Sequence, residues 1–232
     1  METHGILTLY STKTIEYVVA ISYLLLFIPF WRYVSAGRQN ALAATRPARS
    51  LTTTMTEWFE LAKDAAYHPG HAWAKLDGTT AALVGADDFA QKLVGPIHQI
   101  ELPGVGTEVH QGSPAWRLHV DGKVVDMVSP VTGVVTAVNR EAIDQPAVVK
   151  SDPYHQGWLL KVEGPRVAPT ARGLLTGDLA RRWIQQATDA LRLRMTPDLG
   201  LALQDGGVPV DGLAAAIDQE RWDEIAREHL LS

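Results

Sequence analysis

Hydrophobic and polar positions divide the chain into three parts with different periodicities. An uncharged apolar run of fifteen residues, Tyr17–Trp31, stands near the start. After Pro69-Gly70, short apolar segments alternate with turn residues, a pattern typical of an all-β sandwich or barrel. From Thr176 onward apolar residues recur at helical spacing, which predicts amphipathic helices. The order predicts a mainly β fold with added helices.

The apolar run near the start predicts one membrane span. As a helix it covers roughly 22 Å, and apolar flanks extend it over residues 15–34 toward the ~30 Å of a hydrocarbon core. Glu16 and Arg32 lie where their charges can reach opposite interfaces. A signal peptide cleaved near Ala41-Leu42-Ala43 and a buried helix of a soluble domain are the alternatives. We therefore expect an anchor over residues 1–34.

Basic residues around the run predict its orientation. Four arginines follow it before any acidic residue appears, whereas only Lys13 precedes it. The positive-inside bias then places the C-terminal part in the cytoplasm, as in a single-pass protein of the inner membrane. Residues 35–56, rich in Ala, Thr, Ser and Arg, are expected to form a linker.

Local patterns place the first elements of the central part. Residues 57–66 suit one short helix with Thr56 as its N-cap. A second helical turn is expected over Ala86–Leu93, with Asp87-Asp88 at its start. The segments W-R-L-H-V and K-V-V-D-M-V flank Asp121-Gly122, which predicts a hairpin with a two-residue type I′ turn.

Composition narrows the class of protein. The chain has 232 residues, 46% of them hydrophobic, and no cysteine, which excludes bulk disorder, disulfides and thiolate chemistry. Its net charge of −5 argues against general nucleic-acid binding. The charge is uneven: residues 1–56 carry five basic and two acidic side chains, and residues 57–232 carry sixteen and twenty-four.

Five motifs in order carry a resemblance to the glycine cleavage system H protein. They are Tyr67-x-x-x-His71-x-Trp73, Asp88-Phe89-Ala90-Gln91-Lys92-Leu93-x-Gly95, Glu101-Leu102-Pro103-x-Val105-Gly106, Ser129-Pro130-Val131-Thr132-Gly133 and Asp152-Pro153-Tyr154-x-x-Gly157-Trp158-Leu159. The match covers about residues 66–163. It implies a lipoyl-type barrel-sandwich hybrid for a domain that we place at residues 57–165.

The resemblance also implies where the family's chemistry is. H proteins carry lipoate on a lysine at a hairpin tip. Counting ten residues on from Gly112 and eight back from Pro130 places this position at Gly122. His119 stands where the family has a glutamate. The neighbouring Lys123 is shifted by one residue, which turns it to the other face of the sheet. Lipoylation of Lys123 remains the alternative to the absence of lipoate.

Other candidate sites are weaker. His68 and His71 form a pair too small for a zinc site, which needs three or four ligands. A face with Trp73, His98 and His119 beside His71 is a further hypothesis, for a module that binds a small ligand. No nucleophile elbow, zinc-protease or phosphate-loop motif is present. We therefore expect no enzyme activity, no cofactor and no metal.

The C-terminal part, residues 166–232, is expected to be a helical extension. Residues 166–173 suggest a linker, and the helix after Thr176 has an apolar stripe and a basic face. The stripe is Leu179, Trp183, Ala187 and Leu191, widened by Ala180 and Ile184. Gly212–Ile217 and Arg221–Leu231 suggest two more short helices. Partner-binding candidates are Trp183, Arg181, Arg182 and Trp222.

Together these patterns predict a non-catalytic, membrane-anchored H-protein-like subunit without lipoate. Its expected partners are the bilayer, through residues 15–34, and protein subunits of a membrane complex, a respiratory or redox complex being the plausible host. No nucleic-acid partner is expected. The alternative is a lipoate carrier modified at Lys123.

Overall fold

A computed structural model describes residues 58–195 and 211–230, the backbone of residues 53–55, 203–204 and 208–209, and two isolated residues, Tyr23 and Phe27. The chain divides into two units, Met1–Arg49 and Ser50–Ser232. In the first unit, the two described residues are helical and their rings stack with centroids 5.7 Å apart. The predicted boundaries of anchor, linker, β domain and extension stay predictions.

The second unit is built mainly from short antiparallel strands. They are β1 (Thr53–Met55), β2 (Glu60–Ala62), β3 (Ala66–His68), β4 (Ala72–Asp77), β5 (Ala81–Ala86), β6 (Gln99–Glu101), β7 (Glu108–Val109), β8 (Pro114–Val120), β9 (Lys123–Val128), β10 (Gly133–Val138), β11 (Leu160–Glu163), β12 (Leu203–Gln204) and β13 (Val208–Pro209). The expected mainly β class is confirmed.

Two sheets enclose the core. One has six strands in the order β3-β4-β5-β11-β10-β7, and the other has three in the order β6-β8-β9. In β8 every second side chain is buried, namely Trp116, Leu118 and Val120, the period expected of a strand with one face on the core. Trp73 of β4 is fully buried, and its indole N–H donates to the Ala86 carbonyl at 3.0 Å.

Six short helices and one of 18 residues surround the sheets in the described part of the second unit. They are α1 (Asp88–Val94), α2 (Arg140–Asp144), α3 (Ala147–Ser151), α4 (Val167–Ala171), α5 (Gly177–Arg194), α6 (Leu213–Ile217) and α7 (Trp222–Leu230). The Asp87 carboxylate caps α1 by accepting from the Ala90 backbone N–H at 2.8 Å, as the acidic pair predicted. Helices α6 and α7 confirm the two short helices predicted near the C-terminus.

Two predictions of local structure are wrong. Residues 57–66 were expected to be helical, but Glu60–Ala62 form β2, where the Glu60 N–H donates to the Asp88 carboxylate at 2.7 Å. Tertiary pairing overrides the helical propensity of this short segment. Residues 166–173, expected to be a linker, contain α4, which buries Val167 and Ala171.

The core-facing side of α5 is one part of the predicted apolar stripe. Ala180, Ile184 and Leu191 face the core, as does Thr188, whose hydroxyl donates to the Ile184 carbonyl at 2.7 Å. Leu179, placed in the stripe by its spacing, is 61% exposed. A buried hydroxyl that bonds its own helix replaces one apolar position, and this substitution is invisible to a hydrophobic count.

The predicted membrane span lies outside the described residues, apart from Tyr23 and Phe27. Within the described part of the chain, no helix is both long and apolar enough to cross a bilayer.

Candidate functional site

The turn between β8 and β9 has the predicted type I′ geometry. Val120 pairs with Lys123, and the two central residues Asp121 and Gly122 have φ of +46° and +77°. Both angles are positive, as this turn requires, which favours glycine in the second position. A Cβ at Gly122 would have no atom within 4 Å, so the tip is open to solvent.

Lys123 is held by helix α7 beside this turn. Its ammonium group lies 2.5 Å from the Asp223 carboxylate, donates to the Glu220 carbonyl and sits 5.7 Å from the ring centroid of Trp222. Asp223 also pairs with Arg227 one turn along at 3.2 Å. The hydrogen bond and charge of Lys123 lower the pKa of Asp223, although desolvation opposes the shift. The turn and the C-terminal helix are therefore tied together.

Helix α7 packs closely against its own domain. Trp222 is only 3% exposed, and Leu230 at the other end of the helix is fully buried. A Cβ at Gly70 would lie 2.6 Å from the Leu230 carbonyl oxygen and 2.6 Å from Val128 Cγ2 of β9. Only a residue without a side chain permits this approach.

Helix α6 sits beside α7 and approaches α1. The Gly212 N–H donates to the Lys92 carbonyl at 2.9 Å, and a Cβ at Gly95 would lie 3.0 Å from Gly212 Cα. We call α6 and α7, residues 211–230, the C-terminal cover. It packs on its own domain, which answers where the predicted extension goes.

A buried histidine links the cover to α5. His71 Nδ1 lies 2.8 Å from the Asp87 carboxylate, and its ring stacks on Phe89 with centroids 3.9 Å apart. Trp183 covers the other side at 4.5 Å, and His229 of α7 lies 5.7 Å from Phe89. His71 also has φ of +57°, a conformation rare for a non-glycine residue. This cluster is a packed junction.

Burial and His71 lower the pKa of His229, with a smaller lowering from Arg194, whereas Glu228 raises it. Burial also lowers the pKa of His68, again with a contribution from His71. Both shifts favour the neutral form of these histidines.

The predicted partner-binding residues lie in two environments. Trp222 and Trp183 are used inside the chain, the first on Lys123 and the second on His71 and Tyr67. Arg181 and Arg182 are exposed on α5, where Arg181 pairs with Asp178. Their role in binding a partner stays a prediction.

The predicted ligand-binding histidine face is not assembled. His71 and Trp73 are buried, whereas His98 and His119 belong to the surface near the three-stranded sheet and pair with Asp121 at 3.1 Å and Glu101 at 3.4 Å. Across residues 58–195 and 211–230, no group of three or more His, Asp or Glu side chains is arranged to hold a metal ion.

Sequence reasoning missed a groove on the outer face of the three-stranded sheet. It has a volume of about 630 Å³ and is lined by Glu101, Arg117 and Asp126 of the strands and Arg227 of α7, among others. Trp116 also lines it, and its buried indole N–H has no partner among the described residues. Strand alternation could have indicated the outward charges, but not the helix that forms one wall.

Comparison of the sequence with models of known protein families gives one match that includes this turn. The family model for the glycine cleavage H-protein matches residues 65–187. The chain belongs to the glycine cleavage H-protein family. The family resemblance inferred from the five motifs is confirmed, and the match contains the β8–β9 turn but ends before the C-terminal cover.

Individual members show the extent of the similarity. The glycine cleavage system H protein of Carboxydothermus hydrogenoformans is 44% identical over 101 residues, which cover 44% of this chain and 77% of that protein. The mitochondrial H protein 2 of Arabidopsis thaliana is 42% identical over 101 residues, 44% and 64% of the two chains. The Mycobacterium marinum H protein, known from a crystal structure, is 28% identical in sequence. The match covers 55% of this chain and 99% of that chain, with a TM-score of 0.48.

These findings correct the predicted localisation. The relatives are glycine cleavage H proteins, and one of them is named as mitochondrial. The prediction of a single-pass inner-membrane protein with a cytoplasmic domain is therefore wrong. A respiratory host complex and a bilayer partner have no support either. The names of the relatives favour the alternative, a carrier, over a structural subunit.

The turn fits a lipoyl group poorly. An amide-linked lipoyl group needs a lysine amine, and the residue that the two counts place at the attachment position is Gly122. The amine nearest in sequence, Lys123, is bound to Asp223 and Glu220. Modification would remove its charge and break the pair with Asp223.

Proposed function

We propose that this chain is a non-catalytic member of the glycine cleavage H-protein family that binds partner proteins without carrying lipoate. The observation that carries the proposal is the β8–β9 turn, whose tip residue Gly122 has no amine and whose Lys123 is bound by α7. A family member without a lipoyl arm retains the family's fold and surfaces, but it cannot perform the carrier step.

The second candidate is a lipoate carrier modified at Lys123. The names of the relatives favour it, because each of those cited is an H protein. The side chain of Lys123 is 34% exposed, so part of it is accessible. The Lys123 amine would have to leave the Asp223 carboxylate before it could form an amide. The first candidate assigns no lipoyl transfer to this chain.

Intact mass spectrometry of the full chain, produced in cells that lipoylate their own proteins, separates the two candidates. The first predicts a mass without a lipoyl increment. The second predicts the increment, its location on the peptide with Lys123, and its loss in Lys123→Arg. An endogenous lipoylated protein from the same cells verifies that lipoate was supplied.

A gain-of-function pair sharpens the test. The double variant His119→Glu, Gly122→Lys restores the two family features that the sequence lacks at the turn. We expect it to acquire a lipoyl increment, whereas Gly122→Ala, which shares the strain of a side chain at positive φ, should not. Modification of the unaltered chain at Lys123 would contradict the first candidate directly.

A further inference from the structure

The C-terminal cover is an addition to a domain that is already complete. The family match ends at residue 187, whereas α6 and α7 begin at Leu213 and Trp222. The cover nevertheless packs on elements inside the match, with α7 against β9 and both helices against α1. The added helices thus occupy a surface that belongs to the family domain.

That surface is shaped to receive a helix. Gly70 admits the backbone of Leu230, and Gly95 admits that of Gly212, at distances that a Cβ would disturb. Lys123 supplies a cation at one end, which binds a carboxylate and lies against an indole ring. A helix packed in a groove through apolar anchors is a recurring mode of protein recognition.

The charged contacts of the cover lie at its rim. Lys123 pairs with Asp223, Lys150 with Asp211 and Arg194 with Glu228, and each pair has solvent-accessible side chains. Such pairs contribute little individually, because water screens them. The apolar anchors Leu213, Trp222 and Leu230, all buried, therefore supply most of the attraction.

We propose that the surface formed by Gly70, β9 and Lys123 is a docking site for a partner helix that carries a tryptophan next to a carboxylate, and that α7 occupies this site within the chain. The chemistry of the partner follows from what the site holds now: an indole and a carboxylate on Lys123 and a close backbone approach at Gly70. The proposal deepens the proposed function, on which it rests, by naming the surface and the class of partner.

Lysine labelling of the full chain tests whether α7 controls access. Lys161 is a matched internal control, since its side chain is also 34% exposed and pairs with Asp77 and Glu163. With an amine-reactive reagent and peptide mass spectrometry, we expect Lys123 to react roughly fivefold more slowly than Lys161. Trp222→Ala should raise the Lys123 rate about fivefold and leave Lys161 unchanged.

Two further variants keep this test interpretable. Asp223→Asn retains the anchor Trp222 and removes the negative charge that faces Lys123, so it serves if Trp222→Ala does not fold. Asp218→Asn is the matched negative control, because Asp218 caps the turn before α7 and contacts Arg221 rather than Lys123. Equal rates for Lys123 and Lys161 in the unaltered chain would overturn the proposal.

Rescue by an added peptide tests the docking site itself. A synthetic peptide with the sequence of residues 211–232 should bind the full-length Trp222→Ala variant and restore slow labelling of Lys123. The same peptide with alanine at the positions of Trp222 and Asp223 should not. Failure of the unaltered peptide to restore protection would refute the docking site.

The labelling result and the lipoyl mass are independent. A lipoyl increment on Lys123 would refute the proposed function. An unprotected Lys123 without any increment would refute the docking site alone.

Discussion

The six-stranded sheet and the C-terminal cover attach their residues to the core in different ways. In the sheet, β4 and β5 pair along six residues each, and fully buried side chains such as Trp73 and Val84 lie between the layers. The cover has a few apolar anchors and a rim of exposed ion pairs. Local stability within one domain spans a wide range, and elements with few buried contacts open first.

The largest expected effect is on the sheet. Trp73→Ala removes a fully buried indole and its hydrogen bond to Ala86, so we expect a loss of about 3–5 kcal/mol of unfolding free energy. Denaturant unfolding followed by circular dichroism measures it. Leu76→Ala, on the same strand but half exposed, should change stability by less than about 0.5 kcal/mol. Similar losses of unfolding free energy in both variants would contradict the expected difference between buried and exposed positions of this strand.

A smaller effect is expected where the cover meets the domain. Gly70→Ala forces a Cβ to within 2.6 Å of the Leu230 carbonyl, which should cost roughly 1–3 kcal/mol and loosen α7. Hydrogen exchange should rise in α7 and remain slow in β4 and β5. The control is Gly104→Ala, where the nearest atom is 3.9 Å away. Faster exchange spread evenly over both regions would contradict a separate cover.

Acidification should act on the cover before the sheet. The folded-state pKa of His229 lies below its usual value of 6.5, so the unfolded chain binds a proton more readily. Stability from this group is complete above pH 6.5 and decreases as the pH falls below it. Exchange in α7, corrected for intrinsic rates, should be faster at pH 5 than at pH 7.5.

The groups around His229 define the control for this pH dependence. His71 and Arg194 disfavour its charged form, and Glu228 favours it. His229→Gln cannot titrate and should flatten the difference between the two pH values. His68, whose pKa is also lowered, would account for any dependence that remains. Exchange in α7 that is unchanged between pH 5 and pH 7.5 would contradict the expected pH dependence of the contact that His229 makes with the domain.

The smallest effect is expected at the rim. Arg194→Ala breaks the pair with Glu228, both of whose side chains are solvent-accessible, and should cost less than about 1 kcal/mol. Added salt should reduce the difference between this variant and the unaltered chain. Thermal unfolding at low and high salt measures it. A loss as large as that of Gly70→Ala would mean that ion pairs, not apolar anchors, hold the cover.

The family and the turn were predictable because their signals are local. Asp121-Gly122 specifies a tight turn through its backbone preferences, and Asp87 caps the helix that follows it by accepting from the Ala90 N–H three residues along. The strand at Glu60 was not predictable, since its hydrogen bond goes to Asp88, 28 residues away. The helix at Val167 was likewise hidden by a composition that suits a loop.

The candidate site was likewise predictable only where its signals are local. Counting along the motifs predicted glycine at the tip and lysine beside it, and the two short helices of the cover were also predicted. Neither count indicated that Lys123 binds Asp223, 100 residues later, or that Trp222 is buried in its own chain. The two tryptophans predicted as partner-binding candidates pack inside the chain.

The sequence by itself determined the family, the mainly β class, the tip residue Gly122 and the amphipathic helices, because each depends on neighbouring residues or on motif order. Only the tertiary structure decided that α7 lies on β9, that a histidine cluster joins it to α5, and that Lys123 is held by a carboxylate. Such contacts depend on shape complementarity between segments far apart in the chain, as at Gly70 and Leu230, and no local pattern records it.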